Sequence, residues 1–121
     1  MHSNLYREEK DYDQAIYWLE QQEKLYYNDL LTQRAIFLQG IIYLFDLNQP
    51  QKAVKVFQQY AEAYPEVENA PVAMYDLALC YEKMDNKQEA IRVLGQAVDK
   101  YKFTSYGMDI IQKLIQLQNQ I

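Results

Sequence analysis

Apolar residues return along the chain every three to four positions, in runs broken by short polar stretches. That period predicts helices over roughly 1–9, 12–25, 29–46, 50–64, 69–84, 87–101 and 105–120. Pro50 suits a first helical turn, where its missing N–H costs nothing, and Pro65 follows an apolar run as a stop. Asp29, Asn69 and Asn86 or Ser105 are the expected N-caps, because their side chains can accept from the free N–H groups of a first turn. The stretches between the runs are short, so consecutive helices are expected to pack as antiparallel neighbours. Three glycines and three prolines are too few for an all-β fold, whose turns consume both.

The same layout recurs. LALCYEKMDNKQEA at 77–90 has an apolar run, a tyrosine, a polar turn and a restarting alanine, and so do LYREEKDYDQA at 5–15 and IYLFDLNQPQKA at 42–53. Tyr6, Tyr43 and Tyr81 lie 37 and 38 residues apart, and Ala15, Ala53 and Ala90 lie 38 and 37 apart. A period of that size marks stacked supersecondary units. Within 69–84, Met74, Leu77, Ala78 and Tyr81 form one stripe, and the small Ala78 lets the next helix approach through Ala90, Leu94 and Ala97. The two helices are expected to form an αα-hairpin.

The pattern Met74-x2-Leu77-Ala78-x2-Tyr81-x8-Ala90-x3-Leu94-x2-Ala97 resembles the tetratricopeptide repeat (TPR). A preceding unit supplies Ile36, Gly40, Tyr43, Ala53, Phe57 and Pro65, with Gln39 where leucine is usual and one extra residue in its turn. A partial unit supplies Tyr6, Ala15 and Leu19. The resemblance implies a single all-α domain, an α-solenoid of antiparallel helix pairs wound as a right-handed superhelix of about seven helices. Its expected parts are a partial unit at 1–27, units at 28–65 and 66–102, and a terminal, capping helix at 103–121. The first unit lacks the residues that precede Tyr43 and Tyr81 in the others, which suggests a truncated chain. The period exceeds the usual one, and Ala63-Tyr64-Pro65 with the following Ala73-Met74-Tyr75 is similar to long-period units of bacterial envelope proteins. Similar units also form the peptide-sensing half of some bacterial regulators.

The core stripes leave a second apolar face. Val72, Tyr75 and Leu79 project about 130° around from the Ala78 stripe at roughly 100° per residue. Phe37, Ile41, Leu44 and Phe45 do the same on the helix at 29–46, which is apolar nearly all round and so expected to be covered on both sides. The family resemblance implies that such residues line a concave groove, with Arg34, Glu82 and Lys83 as its polar rim. Two functions fit: a scaffold that takes an amphipathic helix or an extended peptide in the groove, or a structural domain that buries the same face in a homodimer. A third is the peptide-sensing half of a larger regulator. The face could also be covered internally, by the helix at 105–120 or by further N-terminal helices. The family's clamp for acidic C-terminal peptides is not expected, because Ile41 and Leu79 stand where that clamp needs asparagine, and an apolar wall offers a carboxylate no donors. On the last helix the groove-facing positions are Asp109, Gln112 and Gln116, so the groove turns polar there.

Composition narrows the partners. Half of the residues are apolar and 14% aromatic, which argues against disorder, and no run approaches the roughly 20 apolar residues of a membrane span. A net charge of −5 without a Lys/Arg cluster removes the footprint for nucleic acid and for anionic membranes. The lone Cys80 cannot form an internal disulfide, so it leaves the redox compartment undetermined. The N-terminus lacks the apolar region of a secretory signal, so a soluble chain is expected, with a cytoplasmic place slightly ahead of a periplasmic one and both open.

Chemistry for catalysis is not evident. His2 is the only histidine, so neither a zinc set nor a base for Cys80 can be assembled from the sequence, and Cys80 reads as a buried structural thiol. Glu8, Glu9, Asp11 and Asp13 lack the spacing and glycine of a calcium loop and read as a solvated turn. Gly40, Gly95 and Gly107 are isolated, so no phosphate-cradling loop exists. Neither enzyme activity nor a cofactor is expected. Of the twelve tyrosines, Tyr75 alone is expected at a ligand-facing position, and Trp18 is read as structural.

Overall fold

The computed structural model describes residues 11–25 and 30–120. The expected helix at 1–9, with Tyr6, and the expected cap Asp29 lie outside the described residues. Among the described residues there are six α-helices and no strand: α1 (Tyr12–Leu25), α2 (Leu30–Ile41), α3 (Pro50–Ala63), α4 (Ala70–Lys83), α5 (Lys87–Tyr101) and α6 (Gly107–Gln118). By contact the chain divides into two compact units, Met1–Val56 and Phe57–Ile121, with the division inside α3.

In the first unit α1 packs on α2. Asp11 caps α1, its Oδ1 accepting from the N–H of Gln14 at 3.3 Å, so one of the clustered carboxylates has a helix-capping role. Ala15, Ile16, Leu19, Ala35 and Ile42 form the core, with Tyr12, Leu38, Tyr43 and Leu47 packed against it. Gln39, the residue that departs from the repeat's usual leucine, is only 5% exposed. Its Nε2 donates to Glu23 Oε1 at 3.3 Å, so the amide that replaces an apolar side chain has an acceptor on the facing helix.

The expected α-helix over 29–46 ends at Ile41 and continues as a π-helical turn, Ile42–Asp46. The cause is the extra residue in this unit. At the end of α4 the N–H of Asn86 bonds to the Tyr81 carbonyl at 2.8 Å, closing over Asp85 in the left-handed region (φ 59°). At the end of α2 the N–H of Gln49 bonds instead to the Tyr43 carbonyl at 2.7 Å, and that of Leu47 to Ile42 at 2.9 Å. Asn48 there takes the left-handed place (φ 51°). The wider i→i+5 turn absorbs one residue and delivers the chain to Pro50 in the same cap geometry.

In the second unit α4 packs on α5 and α5 on α6. α5 is amphipathic, with Ala90, Val93, Leu94, Ala97 and Tyr101 buried along one stripe. On α4 eight residues are buried, Met74, Leu77 and Ala78 among them. The Asn86 side chain caps α5, accepting from the N–H of Glu89 at 3.3 Å. Asn69 occupies the cap position of α4 but makes no side-chain cap bond; its side chain engages the Tyr60 hydroxyl instead. Ser105 is not a cap either, because α6 begins one turn position later, behind Tyr106. The Tyr101 hydroxyl donates to the Pro65 carbonyl at 2.8 Å, tying the end of α5 to the α3–α4 connection. A β-carbon on Gly107 would lie 2.2 Å from the Lys102 carbonyl oxygen, so the turn between α5 and α6 closes only over glycine.

The last helix occupies the register of a further unit, with Ile111, Leu114 and Ile115 37 residues after Met74, Leu77 and Ala78. It is Ile110 and Leu117 that are fully buried, whereas Met108 and Ile115 stay 63% and 50% exposed. Ile115 lies about 140° around the helix from Ile110, on its more exposed side.

Candidate functional site

Repeat register sets the site. The row on α4 that faces away from the α5 contact is Val72, Tyr75 and Leu79, all partly buried. Counting 37 residues on, the same row on α6 is Asp109, Gln112 and Gln116, all exposed. Between the two helices lies a cleft of about 500 Å³, lined by Val72 and Tyr75 on one side and by Asp109, Ile110, Gln112, Lys113 and Gln116 on the other, with Tyr106. One wall is therefore apolar and aromatic, and the other carries two amides and a carboxylate.

Across this unit Lys113 Nζ lies 2.8 Å from Glu82 Oε1, with the two side chains only 15% and 27% exposed. The cation of the cleft is thus already neutralised by a carboxylate of α4. Asp109 has no ion-pair partner among the described residues and is the uncompensated charge of the cleft.

Of the groove residues expected in this unit, Val72 and Tyr75 line the cleft, whereas Leu79 and Lys83 do not. Glu82 enters through its pair with Lys113. In the first unit Arg34 is exposed, Phe37 and Ile41 are partly buried and Phe45 is 51% exposed. Leu44, expected on the groove face, is fully buried. It sits inside the π turn Ile42–Asp46 and is a core residue. Tyr106 and Lys113 were not singled out by the sequence. The signal for Lys113 was its register with the buried Asp76, 37 residues earlier, which marks a position facing another helix.

Two further groups on α4 are titratable and buried. Asp76 is 6% exposed, and burial raises its carboxyl from the usual range to about 7. Cys80 is fully buried, and its thiol is pushed up to about 12, first by burial and then by the neighbouring Asp76 charge. Such a thiol is a packing group, since the thiolate needed for attack is suppressed. Among the described residues no three His, Cys, Asp or Glu side chains come together around a point where a metal ion could sit. No described helix is long and apolar enough to cross a membrane.

Paired helices in a 37-to-38-residue register, small residues at the close contacts and a cleft between first helices define a helical-repeat interaction protein. The tetratricopeptide repeat family model matches residues 44–107, which is more than half of the chain. The chain belongs to the tetratricopeptide repeat family. That family's members are typically non-catalytic protein-interaction modules. Among curated proteins none matches the chain.

Proposed function

We propose that this chain is a non-catalytic module that binds a peptide segment of a protein partner in the cleft between α4 and α6. The observation that carries the reading is the facing of two unlike walls. Val72 and Tyr75 supply partly buried apolar surface, and Gln112 and Gln116 supply exposed amides opposite. An extended peptide needs both: a place for its side chains and partners for its backbone N–H and C=O groups. Gln112 and Gln116 are one helical turn apart, about 6 Å along α6, close to the roughly 6.6 Å between alternate residues of an extended chain. Phe37 and Ile41 occupy the same register positions on α2 as Tyr75 and Leu79 on α4, and Phe45 adds exposed aromatic surface to the first unit. We include Arg34, Phe37, Ile41 and Phe45 as contacts for the same class of partner, with Lys83 and Glu82 at the rim.

Selection of binders from a random peptide display library against the folded chain tests this. The selected peptides, added to ¹⁵N-labelled protein, are expected to shift the amide signals of residues 72, 75, 112 and 116. Binding is expected to fall at least tenfold in Val72→Glu. Selected peptides that shift only other residues, or that bind Val72→Glu equally well, would overturn the assignment of the cleft.

A further inference from the structure

The charge pattern of the cleft goes beyond the presence of a groove and selects a class of peptide; the inference rests on the peptide-binding reading. Three features enter it. The apolar wall of Val72 and Tyr75 accepts an aliphatic or aromatic side chain. The Lys113 ammonium, which would otherwise attract acidic ligands, is held at 2.8 Å by Glu82 in a pair that is mostly covered. Asp109 stands in the first turn of α6, exposed, at the same repeat register as Val72 and one turn from Gln112.

We infer that the cleft takes an extended peptide in which an apolar side chain stands next to a lysine or arginine, the apolar group against Val72 and Tyr75 and the cation at Asp109. An acidic peptide would meet the Asp109 carboxylate, and Lys113, the lysine that lines the cleft, is already paired with Glu82. A neutral apolar peptide would leave Asp109 solvated and gain nothing from it. A first-turn carboxylate also complements the helix dipole without any ligand. That role does not depend on what a peptide carries, so a preference between peptides of opposite charge separates the two.

The probes are blocked pentapeptides with leucine–arginine–leucine or leucine–glutamate–leucine at the centre, titrated at low salt into ¹⁵N-labelled protein. The arginine peptide is expected to shift the signals of residues 72, 75, 109, 112 and 116 and to bind about fivefold more tightly than the glutamate peptide, as exposed single charges do. The preference is expected to disappear in Asp109→Asn and to weaken in 0.5 M salt, where the Debye length is only a few ångströms. Gln116→Lys, an exposed change on the same row, is expected to shift the preference toward the glutamate peptide, and unchanged thermal unfolding of both variants establishes that they fold. Equal binding of the two peptides at these residues, or a preference that survives Asp109→Asn, would overturn the charge selection while leaving the cleft as a peptide site. No shift at these residues with either peptide would overturn both.

Discussion

Lys113 on α6 and Glu82 on α4 meet at 2.8 Å across the second unit, with most of both side chains out of solvent. Partial burial makes this pair more than a surface contact. Each charge has lost part of its hydration, and either one left alone would keep that loss without the attraction that offsets it. Glu82→Gln and Lys113→Met are each expected to lower stability by about 1 kcal/mol. The double variant should cost less than their sum, with a coupling on the order of 1 kcal/mol. Urea unfolding of the four proteins gives the cycle. Strict additivity would mean that the pair contributes nothing and that Lys113 is free to attract acidic ligands.

Asp76 makes stability depend on pH in an uncommon direction for a carboxylate. Its folded-state value is raised to about 7 from 3.8, so the folded chain holds the proton over a range in which the unfolded chain has released it. The native state then binds more protons than the unfolded one, and stability falls as pH rises. The contribution is complete below about pH 4, is lost progressively from there and is gone above about pH 7. The full shift corresponds to at most about 4 kcal/mol. Asp76→Asn removes the charge at nearly constant shape. It is expected to stabilise the chain at pH 8 by roughly 2 kcal/mol or more and to leave it little changed at pH 4. Denaturant midpoints of both proteins from pH 4 to 8 check this, and parallel curves would show that Asp76 is not the group responsible.

Much of the fold was legible in the sequence. The α5 stripe of Ala90, Leu94 and Ala97 follows a strict helical period, and Asn86 is a strong cap, so that helix runs over Lys87–Tyr101 as expected. Repeat register also carried the site half-way. It put Val72 and Tyr75 on one row and Asp109, Gln112 and Gln116 on another. Periodicity could not see which side chains reach across. Lys113 meets Glu82 from 31 positions away, and nothing local to either residue announces it. Leu44 shows the other failure. The period treats 29–46 as one regular helix, whereas the extra residue before Asn48 is taken up as a π turn in which Leu44 is buried.

Two glycines on neighbouring elements are expected to respond oppositely to the same change. Around Gly95, mid-way along α5, a β-carbon would meet nothing within 4 Å. Gly95→Ala therefore removes only unfolded-state freedom, and it should stabilise the chain by about 0.5–1 kcal/mol. At Gly107 the added carbon would be 2.2 Å from the Lys102 carbonyl oxygen and 2.6 Å from its carbon. Both atoms are backbone, so the connection itself must shift. Gly107→Ala is expected to cost about 1–3 kcal/mol and to loosen α6 first. Thermal unfolding ranks the pair, and hydrogen exchange along residues 107–118 locates the loss.

The π turn makes a sharper test of how the two units' helix ends are related. Removing Phe45, which is 51% exposed, would bring Asn48 to the fourth position after Tyr43, the spacing that Asp85 has after Tyr81. Gln49 would then follow at the spacing of Asn86. An ordinary α-helical end with a left-handed cap can form from that sequence, because Asn48 already adopts the required φ of 51°. The deletion is expected to keep the far-UV circular dichroism and to change stability by no more than about 1 kcal/mol. Deleting Ile36 instead, which is 1% exposed in the middle of α2, would turn every later residue of that helix by about 100°. The core residue Ile42 would leave its place beside Ala15, Ile16 and Leu19, and the first unit is expected to unfold. If the Phe45 deletion proved as damaging as the Ile36 deletion, the extra residue would be required by this fold rather than accommodated by it.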